Sequence, residues 1–256
     1  MSTVGEWNGH RQILFAVGGR DSFIVCPDKP LPGNPWVWRT EFFGAFDFAD
    51  RALLDKGWHL AYHRVSGKYG CPESILMMRE FYETAVSEYA LDPKPVLFGF
   101  SRGGLYAVNF ALAYPGACGA LYLDAPVLDI RSWPGGKGVG LGEPLLWEAC
   151  KQVYGLTEES AMDFHGNPLD HAEECAAAGI PILLICGALD RHVPYAENGR
   201  PFFCRVKAAG GMIEQIVKPD CDHHPHSLPD PAPIVDFIEK MTGRKEKPEN
   251  TGNISG

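Results

Sequence analysis

No stretch of the chain approaches the roughly 20 consecutive apolar residues that span a bilayer, so no transmembrane helix and no membrane partner is expected. The opening residues, MSTVGEWNGHRQ, lack a basic region leading into an apolar core, and no secretory signal is expected. Positive charge is in deficit: 23 Lys and Arg face 32 Asp and Glu, a net charge of −9, which argues against a nucleic-acid surface. The eight cysteines form no CxxC pair, and several sit in apolar runs such as ILLIC and FIVC. They read as reduced, buried thiols of a cytoplasmic protein rather than as a disulfide framework. Internal repeats and domain linkers are also lacking. With 256 residues, 45 % of them apolar, the chain suits one large domain that needs no covalent staple.

What is present is an alternation of strand and helix signals. QILFAV (12–17) and SFIVC (22–26) read as strands around the turn GGRD, and WHLAYHRV, PVLFGF, GALYLD, IPILLICG and MIEQIVK as further strands. AFDFADRALLDK, PESILMMREFYETAVSEYAL, residues 102–114, LLWEACKQVYG, HAEECAAAG, residues 195–209 and PIVDFIEKM carry helical spacing. The alternation predicts an α/β fold: a mainly parallel, twisted sheet with helices on both faces and the first two strands antiparallel at one edge. PDKPLPGNPWVWR, rich in Pro, reads as a loop. Residues 127–170 break the alternation and read as a cap insertion over the strand ends, within a single domain spanning 1–242. From 243 onward GRKEKPENTGNISG is polar and aperiodic, and disorder is expected.

In such a sheet ligands bind at the carboxyl ends of the strands. At one of these ends stands Gly99-Phe100-Ser101-Arg102-Gly103-Gly104. A sharp strand-to-helix turn strains its central residue and needs small neighbours, which the three glycines supply. The turn would present the Ser101 hydroxyl at a helix N-terminus, where the N–H of Arg102 could hold an oxyanion. Strand IPILLIC runs into Gly187-Ala188-Leu189-Asp190, which places Asp190 at the same edge as a carboxylate able to orient a histidine. Asp124, also just past a strand, is a second candidate for that part. The last strand leads into Pro219-Asp220-Cys221-Asp222-His223-His224-Pro225-His226-Ser227.

The chain order Ser, Asp, His, together with the strand–turn–helix setting of GFSRGG, resembles the α/β-hydrolase superfamily of serine esterases, lipases and peptidases. The resemblance covers about residues 12–242. It implies Ser101 as nucleophile, Asp190 as orienting acid and a histidine directly after a tight turn of small residues as base. Position points to His223, with His224 and His226 as alternatives; aspartates stand where the family often has glycines. The HGGG pattern of many esterases is absent, and a second oxyanion donor is sought between Asp28 and Trp36, where Pro30, Pro32 and Pro35 cannot donate. A metal held by HHPH with Asp220 and Asp222 is the rival reading. Adjacent histidines point apart in an extended loop, so no metal is expected, and the resemblance implies no cofactor. The implied chemistry is acyl transfer from a small carboxylic ester to water. A peptidase, a thioesterase, a carbon–carbon hydrolase or a silent small-molecule binder on the same fold are the alternatives. Trp36, Trp38 and Arg39 are read either as packing of a long loop or as a pocket wall for a sugar or aromatic ring, with Arg39 pairing with Glu41 or reaching the pocket. The Arg102 side chain either braces the turn or contacts substrate. Gly-x-Ser-Arg-x-Gly is similar to the turn of glucuronoyl esterases, which implies a sugar-derived or otherwise polar ester.

Overall fold

Nine strands make one sheet in the computed structural model, which describes residues 2–245. The strands are β1 (Thr3–Trp7), β2 (His10–Val17), β3 (Arg20–Val25), β4 (Trp36–Arg39), β5 (His59–His63), β6 (Val96–Phe100), β7 (Ala120–Asp124), β8 (Ile182–Gly187) and β9 (Ile213–Lys218). Their order across the sheet is β1-β2-β3-β5-β4-β6-β7-β8-β9. The pairs from β1 through β3 to β5 are antiparallel, and those from β5 to β9 are parallel. The helices are α1 (Phe48–Asp55), α2 (Pro72–Ser87), α3 (Gly103–Ala113), α4 (Pro144–Tyr154), α5 (Glu158–Met162), α6 (Ala172–Ala177), α7 (Gly199–Ala208) and α8 (Ala232–Thr242).

Both faces of the central strands are buried, and side chains alternate between two cores as the period of 2 demands. Trp38, Leu97, Leu121, Leu123 and Leu184 face α2, α3, α6 and α7, where Phe81, Phe110, Cys175 and Phe202 pack. Val37, Leu60, Phe98, Tyr122 and Ile185 face α1 and α8, where Leu53, Leu54, Ile234 and Ile238 pack. A third cluster joins the segment between β7 and β8 to the main body: Val127, Ile130, Trp147, Cys150 and Ala161 gather on Leu105 of α3 and on Tyr69. Five of the cysteines (Cys71, Cys118, Cys150, Cys175 and Cys186) are buried. Among the described residues no helix is long and apolar enough to cross a membrane. The polar tail expected from residue 243 lies, from 246 onward, outside the described residues; its start is tied down by an ion pair of Arg244 with Asp92.

Two strands differ from the sequence reading. β1 (TVGEW) is a largely exposed edge strand without an apolar run. β4 lies inside the segment read as a loop, and it runs near the middle of the sheet, between β5 and β6. Four residues after a Pro-rich stretch give no periodicity to read, yet all four are buried. Trp36 and Trp38 are 0 % and 1 % exposed and pack on Phe81, Trp38 also on Phe110, so neither lines a pocket.

Arg39, fully buried at the end of β4, does not pair with Glu41. Its Nε lies 3.0 Å from Asp50 Oδ1 on α1, its guanidinium sits 3.8 Å above the Phe100 ring, and it donates to the carbonyl of Ala45. Burial pushes the Asp50 carboxyl above the usual carboxylate range, with Arg39 opposing. Removing one member of such a pair strands the other. Asp50→Ala is therefore expected to lower the unfolding free energy by about 3–5 kcal/mol in urea titration. A loss below about 1 kcal/mol, the range of exposed pairs, would contradict that role for Asp50.

Candidate active site

The carboxyl end of β6 turns directly into α3, and Ser101 occupies the turn with φ +49°. The turn closes because three glycines leave room. A Cβ on Gly104 would come within 2.6 Å of Pro126 Cβ, and one on Gly99 within 2.9 Å of Leu123 Cδ2. The Ser101 N–H donates to the Asp124 carbonyl at the end of β7 (3.0 Å), and the Ser101 carbonyl accepts from Gly104 and Val127 (both 2.9 Å). Backbone bonds from three directions thus hold a residue that sterics alone disfavour.

His223, in the loop after β9, reaches Ser101: Nε2 lies 3.0 Å from the hydroxyl oxygen, and Nδ1 lies 2.7 Å from Asp190 Oδ2. Asp190 is a carboxylate acceptor there, so Nδ1 carries the proton and Nε2 turns its lone pair to the serine. The other Asp190 oxygen accepts the N–H groups of His192 (2.9 Å) and Val193 (2.8 Å), which fixes the carboxylate in place. Of the three candidate histidines, His223 alone bonds both Ser101 and Asp190.

His226 has a partner of its own. Its Nδ1 lies 2.7 Å from Asp124 Oδ1, while Asp124 Oδ2 accepts from the Tyr122 hydroxyl and from the Ser227 N–H, each at 2.9 Å. Asp124 is 0 % exposed, so its three partners replace the water it has lost. Asp124 and His226 therefore form a second, separate Asp–His pair beside the first. His224 is the exposed member of the three, stacked on Phe46 at 5.6 Å, and burial of its ring with the neighbouring histidines lowers its pKa. All three rings meet edge to face, with centroids 4.8–4.9 Å apart, so the histidines do not point apart as an extended loop would make them.

Asp222, which the sequence offered as a departure from the small-residue turn and as a candidate metal ligand, has a structural part instead. Its carboxylate accepts the N–H of Arg191 (3.0 Å) and of His223 (2.8 Å) and pairs with the Arg191 guanidinium (2.9 Å). These backbone donors hold its pKa down to about 2. It clips the histidine loop to the loop that carries Asp190. The signal for this was the departure itself, an aspartate where a small turn residue was expected.

The segment between β3 and β4 lies at the opposite edge of the sheet from Ser101. Leu31 donates to Gly57, and the N–H of His59, at the start of β5, donates to Pro35. A second oxyanion donor between Asp28 and Trp36 is thereby corrected. The loop that reaches Ser101 is the one after β4: Thr40 Oγ1 donates to the carbonyls of Phe98 (3.0 Å) and Gly103 (2.9 Å). The Arg102 N–H has no hydrogen-bond partner among the described residues. The Arg102 side chain reaches Glu41 Oε2 at 3.4 Å and lies 5.1 Å over the Phe42 ring. Ser66 donates to the same Glu41 oxygen (3.1 Å), and burial holds the Glu41 carboxyl above its ordinary range. Phe23, Phe42, Phe43, Tyr62, Arg64 and Arg102 line a cleft of about 610 Å³ that meets the serine turn at Arg102 and is not lined by Ser101, His223 or Asp190.

A mostly parallel sheet, helices on both faces and a serine turn after the central strand define the α/β-hydrolase fold, shared by known peptidases. The chain is similar to a puromycin-hydrolysing peptidase of Mycobacterium tuberculosis, with TM-score 0.70 and 14 % identity over 92 % of this chain and 40 % of that one. It is also similar to an acylaminoacyl peptidase of Pyrococcus horikoshii, with TM-score 0.66 and 15 % identity over 96 % and 42 % of the two chains. A puromycin hydrolase matches at TM-score 0.64 and 18 % identity over 93 % and 38 %. The chain thus spans about two fifths of the length of these solved structures. No protein-family model and no curated protein matches the sequence.

The two Asp–His pairs should separate in ¹⁵N-resolved imidazole spectra. In their neutral form His223 and His226 are each expected as the Nδ1–H tautomer. Asp190→Asn should disturb the His223 signals and spare those of His226, and Asp124→Asn the reverse. A single variant that shifts both rings equally would show that the pairs are not independent.

Proposed function

We propose that the chain is a serine hydrolase that cleaves a carboxylic ester through an acyl-enzyme. The observation that carries this reading is the unbroken relay Asp190–His223–Ser101, with hydrogen bonds of 2.7 and 3.0 Å. His223 takes the Ser101 proton as the oxygen attacks the ester carbonyl, and Asp190 stabilises the imidazolium that results. The tetrahedral oxyanion is held by the N–H of Arg102 and by a second N–H, that of Glu41, on the loop after β4. The imidazolium protonates the leaving alcohol. Water then enters, gives its proton to His223 and hydrolyses the acyl-serine.

Two features support a polar substrate. The cleft that meets the serine turn at Arg102 combines aromatic faces (Phe23, Phe42, Tyr62) with charged and hydroxyl groups (Glu41, Ser66, Arg102), a set suited to stacking on a sugar ring and bonding its hydroxyls. Arg102 serves as a brace for Glu41 and also forms part of the wall, so the two readings of its side chain are compatible. The second reading is an amide substrate. It is favoured by the peptidases with similar folds, and it needs the same relay to protonate an amine.

Ser101→Ala and Asp190→Asn are expected to cut turnover of p-nitrophenyl acetate by roughly 10⁴-fold or more, with an unchanged melting temperature. Arg102→Ala should raise KM for sugar and uronate esters more than for neutral acetyl esters. Wild-type turnover in Ser101→Ala would refute the mechanism. Turnover of aminoacyl amides at rates exceeding every ester would replace the ester reading with the amide one.

A further inference from the structure

We infer that His223, His224 and His226 form a binding site for a divalent transition metal, zinc above all, and that the metal switches the proposed hydrolase off by taking its base. Each ring offers a nitrogen within 4.8 Å of those of the other two. The three centroids form a nearly equilateral triangle of 4.8, 4.8 and 4.9 Å, with the rings mutually edge-on at 67–88°. Tetrahedral zinc at about 2.0–2.1 Å from each nitrogen sets them about 3.4 Å apart, so the rings need to close by up to about 1.4 Å. His224 is exposed, and its ring is held by aromatic packing on Phe46, His223 and His226 with no hydrogen bond among the described residues, so it can supply much of that movement.

The surroundings favour metal on chemical grounds. Nδ1 of His223 is held by Asp190 and Nδ1 of His226 by Asp124, each at 2.7 Å, which leaves Nε2 of each ring as the metal donor; that of His223 is shared with the Ser101 hydroxyl at 3.0 Å. A histidine that gives its other N–H to a carboxylate is the usual supporting arrangement around a bound metal: the carboxylate fixes the tautomer and raises the basicity of the ligating nitrogen. Two of the three rings have it. Imidazole donors suit zinc, copper and nickel rather than magnesium or calcium. Asp222 lies outside the set, because its oxygens are engaged with Arg191 and the His223 backbone.

On binding, the zinc ion exchanges three of its waters for three imidazole nitrogens. His223 Nε2 leaves the Ser101 hydroxyl, which keeps its proton and has no base. No covalent bond to the serine forms, so removal of the metal by chelation restores the relay. The metal site itself is independent of any catalysis; the inhibition rests on the serine-hydrolase reading.

The test is calorimetric titration of zinc ion into the metal-free full chain, paired with ester turnover at each zinc concentration normalised to the zinc-free rate of the same variant. One zinc per chain is expected, with turnover falling along the binding curve and returning with EDTA. His224→Ala, a change at an exposed ring, should weaken both binding and inhibition at least about tenfold. Cys221→Ser, which removes the thiol within the histidine loop, should leave both as they are. Equal zinc affinity in wild type and His224→Ala, or affinity lost in Cys221→Ser, would overturn the site. Zinc binding that depends on His224 in a chain that turns over no ester or amide would uphold the metal site and refute the hydrolase reading alone.

Discussion

The strained turn at Ser101 is the constraint on which the rest depends. A serine at φ +49° sits in a region disfavoured by of order 1–3 kcal/mol for a residue with a side chain. It stays there because β6 and α3 are each anchored independently, and because the Asp124 carbonyl and the Gly104 and Val127 amides bond to its backbone. The strain has a use. It lifts the hydroxyl clear of the sheet edge, toward the first free N–H groups of α3 and within 3.0 Å of an imidazole that comes from a loop 122 residues away. The Arg39–Asp50 pair packs on the face of Phe100, the residue just before the turn.

Preorganisation is carried by carboxylates with every oxygen committed. Asp190 holds His223 and two backbone amides, Asp222 joins the Arg191 and His223 backbones, and Asp124 holds His226, Tyr122 and Ser227. Electrostatic catalysis works best when dipoles and charges are fixed before reaction, since nothing then has to reorganise in the transition state. The same arrangement has a second effect. By presenting Nε2 of two carboxylate-backed histidines side by side, next to a third ring, it creates the donor set on which the zinc inference rests.

Much of this was legible in the sequence, in identifiable places. β6 and β8 are continuous apolar runs of the kind expected for strands buried on both faces. The residues that follow them, Ser101 and Asp190, could therefore be put at one edge of a parallel sheet from the pattern alone. His223 was distinguished from His224 and His226 only by its position after the turn. β4 was not legible: four residues after Pro35 show no alternation, and two tryptophans suggest a binding surface as readily as a core. Missing that strand put the expected second oxyanion donor on the loop after β3, because that loop then seemed to be the one facing the serine. The packing of three histidine rings was also hidden, since it depends on the Asp124–His226 bond, a contact between residues 102 positions apart.

The central claim is that Ser101 is an activated nucleophile. Labelling with a fluorophosphonate probe, followed by mass mapping of the modified peptide, measures this directly whatever the natural substrate. The account predicts one adduct per chain, on Ser101, absent in Ser101→Ala and slowed by orders of magnitude in His223→Ala. Absence of labelling in the folded wild type, or equal labelling of Ser101→Ala, would contradict it.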